Sequence, residues 1–185
     1  HVADHLYTRL GAFTHVSKVS RLGVMPLPFL CERSSKGTFS IVSCSNLIAL
    51  KQIDKIIDGI ALLAKANPQM KIVWNHFGLG PLHDALVAKA HGCLNNLVTW
   101  QIKYLDHAQV LAFYRDHAID IFINISTTEG LPVSIMEAYS CSIPAIATAV
   151  NGVPEIVNQD NGILLPINIM PTDVFNALSE FLNYS

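Results

Sequence analysis

Two carboxylates and a proline-led helix start carry most of the chemistry that this sequence can do. In STTEGLPVSIMEAYS, Ser126 to Ser140, Glu129 stands ahead of a predicted helix and Glu137 lies inside it. Pro132 is read as the first helical residue, where its missing N–H costs nothing. Gly130 and Leu131 come just before it, and Gly130 lets the backbone approach a ligand closely. Free amides at a helix N-terminus favour phosphate oxygens. Glu137 lies five residues past Pro132, roughly 7.5 Å along the axis, about the reach from a diphosphate to the ribose of the same nucleotide. A carboxylate only accepts hydrogen bonds and a ribose offers two adjacent donors, so Glu137 suits that diol. Glu129, on the far side of the phosphate position, is placed for the hydroxyls of a sugar. Spacing alone favours a plainer arrangement, with Glu137 a solvated helix residue and Glu129 an acid favoured by the helix dipole.

These residues need a scaffold, and the sequence supplies one by alternation. Strands are predicted over Phe39–Ser45, Lys71–His76, Leu97–Gln101, Ile119–Ile125, Pro144–Thr148 and Gly162–Leu165. Helices are predicted over Asp54–Ala66, Pro81–Ala90, Asp106–His117, Pro132–Ser140 and Pro171–Asn183, with a short one near Glu155. The first of these helices sets Ile56, Ile57, Ile60, Leu63 and Ala64 at helical spacing. Strands that alternate with helices of this length imply βαβ crossovers and a parallel sheet. The fold class is therefore α/β, a Rossmann-like parallel sheet flanked by helices. Ligands of such sheets bind outside the carboxyl ends of the strands, so the loops Ser43–Lys51, Asn75–Leu82 and Ser126–Pro132 matter most. Ahead of this region, His1–Leu10 reads as an amphipathic helix, Val19–Val24 as a strand and Met25–Gly37 as a linker.

Composition narrows the class. The 185 residues are 51% hydrophobic with a formal charge of −2, and Lys and Arg together number 12. No basic stripe is present, which argues against nucleic acid as a partner. Cys31, Cys44, Cys93 and Cys141 show no CxxC spacing, and Cys44 and Cys141, in apolar surroundings, read as reduced buried thiols, which suits the cytoplasm. No apolar run approaches the length of a membrane span. His1 and His5 have helical spacing but no third ligand, so neither a metal nor another cofactor is expected. The chain opens on His1 and reads as a piece of a longer protein.

The run EGLPVSIMEAYSCSIPAIATAVNGVPEIV, Glu129 to Val157, resembles the donor-binding core of retaining GT-B glycosyltransferases of the family 4 type. Two glutamates separated by seven residues are that family's mark, here Glu129 and Glu137. IVSCSNLIALKQIDKIIDGI, Ile41 to Ile60, resembles the family's first strand, phosphate loop and first helix. KIVWNHFGLGPL, Lys71 to Leu82, resembles its second strand and glycine turn, with Gly78 and Gly80 kept. The resemblance implies the C-terminal half of a GT-B fold that binds a UDP- or GDP-linked sugar as substrate. Residues 1–37 would then be the tail of a missing N-terminal domain with the interdomain linker, 38–170 the nucleotide-sugar-binding domain and 171–185 a C-terminal helix. It further implies hexosyl transfer with retention, in bacterial cell-surface polysaccharide synthesis, in the cytoplasm or at the inner membrane face. A fragment without the acceptor domain is not expected to transfer sugar by itself.

The same resemblance distributes roles. Gly130, Leu131, Asn46 and Lys51 would hold the diphosphate, Glu137 the ribose and Glu129 the sugar hydroxyls, with Glu129 and Lys51 closest to catalysis. Gly78 belongs to the donor-side turn, and Glu155 follows the Gly152 turn that lines the donor site. Several positions depart from the pattern. Asn46 replaces the first of two basic residues, and Leu79 stands where aspartate is common. Lys103 replaces a glycine near the expected nucleobase pocket, and Ser142 and Asn151 also replace glycines. These departures leave open a donor-binding domain with weakened catalysis. A dinucleotide oxidoreductase is disfavoured, because Gly78-Leu79-Gly80 lacks a third glycine and no acid closes the following strand. His76, at the end of the second strand, reads as a hydrogen-bonded wall residue rather than a base. Trp74 and Trp100 read as core, and His107 as a cap of the helix after Asp106.

Overall fold

The computed structural model describes residues 22–183. Strands β1 (Thr38–Cys44), β2 (Lys71–Phe77), β3 (Val98–Lys103), β4 (Ile121–Asn124), β5 (Ala145–Thr148) and β6 (Gly162–Leu165) form one sheet in the order β3-β2-β1-β4-β5-β6. Every pairing is parallel. Helices α1 (Ile53–Ala66), α2 (His83–Leu94), α3 (His107–Asp116), α4 (Val133–Ser140) and α5 (Pro171–Asn183) connect and flank the strands. The chain lays down β1, β2 and β3 in one direction, then returns to β1 and builds β4, β5 and β6 in the other. The point of reversal is the β1–β4 pair, where a crevice opens at the carboxyl ends.

Side-chain alternation along the strands divides the core between the two faces of the sheet. Ile41, Trp74, Ile121, Ile123 and Ile146 pack with α1, α2 and α5. Val42, Phe77, Phe122, Ala145 and Ala147 pack with α3 and α4. α1 turns Ile53, Ile56, Ile57, Ile60, Leu63 and Ala64 inward. At Gly59 it approaches α5 so closely that a Cβ would stand 2.5 Å from Val174 Cγ1. Trp74 is fully buried; Trp100 is partly buried against the same core, edge-on to the His91 ring.

Several expected boundaries move. α4 begins at Val133, with Pro132 extended as its cap, and α2 begins at His83, two residues past Pro81. Both prolines thus precede the helix they announce. Asp106, not His107, caps α3: its carboxylate accepts from the Gln109 amide at 2.9 Å while Gln109 Oε1 accepts from the Asp106 amide at 3.0 Å. A carboxylate beside an unsatisfied first-turn amide is the better acceptor. The expected helix His1–Leu10, the His1 and His5 pair and the first half of Val19–Val24 lie outside the described residues. Leu22–Val24 form no strand. Met25–Gly37 has no helix or strand, yet it is docked. The Cys31 amide donates to the Cys141 carbonyl at 2.8 Å, and Asp120 accepts from the amides of Ser34 and Ser40 at 3.0 and 2.7 Å.

A buried polar relay fixes the carboxyl ends of β1 and β2. Trp74 Nε1 donates to Ser43 Oγ at 3.1 Å. His76 Nε2 lies 3.1 Å from the Ser45 carbonyl, which only accepts, so Nε2 carries the proton and Nδ1 accepts from the Ser43 hydroxyl at 2.9 Å. Every member is satisfied with a neutral imidazole, the wall residue expected. Burial pushes His76 down from 6.5 to about 4, against a smaller upward pull from the Ser45 carbonyl. Between those values the unfolded chain binds a proton that the folded chain refuses, so stability falls as pH drops through this window. Denaturant titrations from pH 7 to 4 should reveal a loss on the order of 2–3 kcal/mol from this group. His76→Gln should flatten that slope; an unchanged slope would mean the imidazole is not held neutral.

Candidate active site

The loops that follow β1 and β4 meet at the reversal point. The Thr127 amide donates to the Leu50 carbonyl at 2.8 Å. Gln52, in the left-handed region at φ 50°, sends Nε2 to the Ile125 carbonyl at 2.6 Å. These bonds aim the short 3-10 turn Ala49–Lys51 across the crevice, and Lys51 Nζ reaches Glu129 Oε1 at 2.5 Å. Both side chains are largely shielded, 19% and 13% exposed. Lys51, expected at the diphosphate, and Glu129, expected at the sugar hydroxyls, are therefore in direct contact.

Glu129 has further support. Its Oε1 accepts from Asn124 Nδ2 at 3.2 Å and lies 2.6 Å from Ser126 Oγ. That hydroxyl is also 2.7 Å from Asn124 Oδ1, and it has one proton for two acceptors. The Ser126 amide already serves Asn124 Oδ1 at 3.3 Å, which leaves the hydroxyl to the charged carboxylate. Desolvation pushes the Glu129 carboxyl up, but the bonds from Lys51, Ser126 and Asn124 and the Lys51 charge outweigh it, and the net shift is downward. Glu129 is thus an anion with one crowded oxygen and no hydrogen-bond donor on Oε2 among the described residues. Sequence reasoning missed Asn124, Ser126 and Gln52. A polar pair flanking Ile125 at the end of an apolar strand was the available signal for the first two.

α4 starts immediately beyond. The amides of Gly130 and Leu131 make no hydrogen bond among the described residues; at the start of α4 the Ile135 and Met136 amides donate to the Pro132 carbonyl at 3.2 and 3.4 Å. Asn151 braces this segment from the turn after β5, donating to the Glu129 carbonyl at 2.7 Å and to Thr128 Oγ1 at 3.1 Å. Its φ of 43° explains why a glycine would also fit there, and glycine would forfeit both bonds. Ser142, the other glycine replacement, has φ 67° at the end of α4.

Glu137 projects from α4 to the start of α3, where His107 Nε2 donates to its Oε1 at 2.6 Å. Burial and then the Glu137 charge raise the Cys44 thiol, at the end of β1, to about 11. Glu137 therefore faces the same carboxyl ends as Lys51. Asn46 is exposed in the loop after β1, and no side-chain bond of it occurs among the described residues. Gly78 has a packing reason of its own: a Cβ there would stand 1.9 Å from the Ser45 carbonyl. Lys103 lies on edge strand β3, with Nζ 5.9 Å from the Phe77 ring centre, three strand spacings or roughly 14 Å from β4. It is not joined to the Lys51–Glu129 group. Glu155 is exposed on the turn Val153–Glu155, away from any side-chain partner among the described residues.

Two clefts of about 560 and 490 Å³ open at the other end of the sheet, beside Pro144, Asp160, Asn161 and Phe181. None of the expected site residues lines them. Among the described residues no three His, Cys, Asp or Glu side chains converge on a metal-sized position, and no helix is long and apolar enough to cross a membrane.

A helix-flanked parallel sheet with its polar cluster at the strand-order reversal is the architecture of a GT-B glycosyltransferase domain. The chain belongs to the family of glycosyl transferases group 1, whose model matches residues 38–184. It is 41% identical over 179 residues to the putative colanic acid biosynthesis glycosyltransferase WcaL of Escherichia coli K12, covering 86% of this chain and 41% of that protein. The fold is similar to the apo lipopolysaccharide outer core galactosyltransferase WaaB, with a TM-score of 0.78 at 16% identity, over 99% of this chain and 51% of that one. It is also similar to Anabaena HepE in complex with UDP and glucose, with a TM-score of 0.60 at 21% identity, over 97% of this chain and 42% of that one. The chain spans less than half the length of the curated relatives it matches.

Glu129 contributes stability above the ordinary carboxylate range, and that contribution disappears as pH falls through its depressed folded value. Glu129→Gln should therefore cost about 1–3 kcal/mol at pH 7, the worth of charge-assisted hydrogen bonds. The gap from wild type should close on acidification below pH ~4. A pH-independent gap would assign the loss to packing instead of charge.

Proposed function

We propose that this chain is the donor-binding domain of a retaining glycosyltransferase of the family 4 type that transfers a hexosyl unit from a nucleoside diphosphate sugar. The observation that carries the proposal is the Lys51–Glu129 pair, set at the β1–β4 reversal directly ahead of the free amides of Gly130 and Leu131. The amides and Lys51 form the positive half of a diphosphate site, strengthened by the α4 dipole. When the bond between anomeric carbon and phosphate oxygen breaks, negative charge grows on the departing diphosphate. Donors already aimed at that charge lower the barrier. Glu129 both orients Lys51 and offers Oε2 to the sugar hydroxyls. Glu137 accepts from the ribose diol. No metal is required for this division of work.

In this reading residues 1–37 are the tail of an acceptor-binding domain and the linker from it, 38–170 hold the donor, and 171–185 carry the C-terminal helix, whose described part α5 packs beside α1. The relative named for colanic acid biosynthesis supports a role in bacterial cell-surface polysaccharide assembly; in this reading the enzyme works in the cytoplasm or at the inner membrane face. The UDP bound to a protein of similar fold makes UDP the first nucleotide to try.

Asn46 favours a second reading, a donor-binding domain with weakened catalysis. An amide there brings no charge to the leaving diphosphate. Binding without turnover in the longer protein would select that reading, and sugar transfer would end it.

Calorimetry with UDP and GDP tests the site. One of them should bind, and Glu137→Ala should weaken it by about 1–3 kcal/mol. Lys51→Ala should weaken the nucleoside diphosphate far more than the uncharged nucleoside. Absence of binding by either nucleotide would reject the donor reading, and unchanged affinity in Glu137→Ala would remove that residue from the ribose.

A further inference from the structure

His107 was expected only as a helix cap, and Asp106 does that work instead. His107 occupies the first position of α3, held there by the reciprocal bonds of Asp106 and Gln109. Its ring is 69% exposed, so packing does not explain its placement. Its one side-chain bond among the described residues goes to Glu137 Oε1, at 2.6 Å. A carboxylate has no proton to give, so Nε2–H is the donor. Glu137 is only 16% exposed and has no other donor among the described residues. An ion pair with so exposed a partner adds little to stability. What the bond does is restrict the rotamers of a flexible glutamate, keeping one oxygen engaged and the other free.

The bond also joins two halves of the sheet. α3 follows edge strand β3, whereas α4 follows β4 on the far side of β1. The ionisable groups that the Glu137 charge reaches are Cys44 on β1, Tyr114 on α3 and Cys141 after α4, each raised chiefly by burial. His107 is thus the donor that meets Glu137 where the carboxylate is offered to a ligand.

We infer that His107 is a positioning residue for nucleotide recognition: its Nε2–H holds Glu137 in the orientation from which the carboxylate takes the ribose diol. This rests on the donor reading above. It assigns α3, and not α4 alone, to the discrimination of ribose from deoxyribose.

The test uses the nucleoside diphosphate that wild type binds better, UDP or GDP, and its 2′,3′-dideoxy counterpart, by calorimetry. His107→Ala should weaken the ribonucleotide about three- to tenfold, the worth of one ordinary hydrogen bond. The dideoxy ligand should be unaffected. His107→Gln, whose amide can donate to the same oxygen, should restore most of the loss. In a Glu137→Ala background, His107→Ala should change nothing further. Equal weakening of both ligands, an undiminished effect in the Glu137→Ala background, or no effect on the ribonucleotide would each overturn the inference. Failure of wild type to bind either nucleotide would instead fell the donor reading, and this inference with it. Should His107→Ala fail to fold, the comparison of His107→Gln with wild type across the two ligands still decides, because a residual defect must be confined to the ribonucleotide.

Discussion

The contact between Lys51 and Glu129 organises the carboxyl end of this sheet. Neither residue is on a strand. Each stands on a loop that leaves one of the two strands flanking the reversal of strand order, so the pair exists only if β1 and β4 are neighbours. Holding an ammonium and a carboxylate half out of water is costly unless both are well served. Asn124 and Ser126 serve the carboxylate from the last residue of β4 and from two residues beyond it. Gln52 and Leu50 lock the lysine's turn to the same strand's exit. The result is a preorganised pair of opposite charges beside a helix start, ready to exchange part of its mutual attraction for a ligand with phosphates and hydroxyls.

Backbone proximity makes that arrangement possible. Gly78 and Gly80 let the loop after β2 lie against the Ser45 and Leu47 carbonyls, where a Cβ would come within 1.9 and 2.4 Å. Gly152 lets the turn after β5 press on the Gly130 carbonyl, 2.6 Å from where its Cβ would be. Four strand exits are thereby stacked side by side, tied by the Leu47 amide to the Leu79 carbonyl at 2.8 Å, the Thr127 amide to the Leu50 carbonyl at 2.8 Å and the Asn151 side chain to the Glu129 carbonyl at 2.7 Å. The buried Trp74–Ser43–His76 relay holds the first of these exits from below. A glycine in these turns is a statement about packing of one loop on another before it is a statement about a ligand.

Much of this was legible in the sequence. Alternating apolar strands and helices gave the sheet and its helices to within a few residues, because a parallel sheet covered on both faces demands that pattern. Asn151 and Ser142, noted as replacing glycines, both stand at positive φ, 43° and 67°. Helix starts at Pro81 and Pro132 were misplaced because proline serves equally as a cap and as a first helical residue. Partnerships were not legible. Nothing in the spacing of Lys51 and Glu129, 78 positions apart, says that they touch, nor that His107 reaches Glu137 across the gap between α3 and α4. Those contacts depend on which strands are adjacent, and composition and periodicity do not encode adjacency. Lys103, singled out as a glycine replacement, stands on the edge strand β3.

The central claim is that the β1–β4 reversal is a diphosphate site with Lys51 and Glu129 at its mouth. A crystal structure of this chain grown with the tighter-binding of UDP and GDP tests it directly. The account predicts phosphate oxygens within hydrogen-bond distance of the Gly130 and Leu131 amides and of Lys51 Nζ, with the ribose hydroxyls on Glu137. A nucleotide bound instead in the clefts beside Asp160 and Phe181, with the Lys51–Glu129 contact untouched, would contradict it.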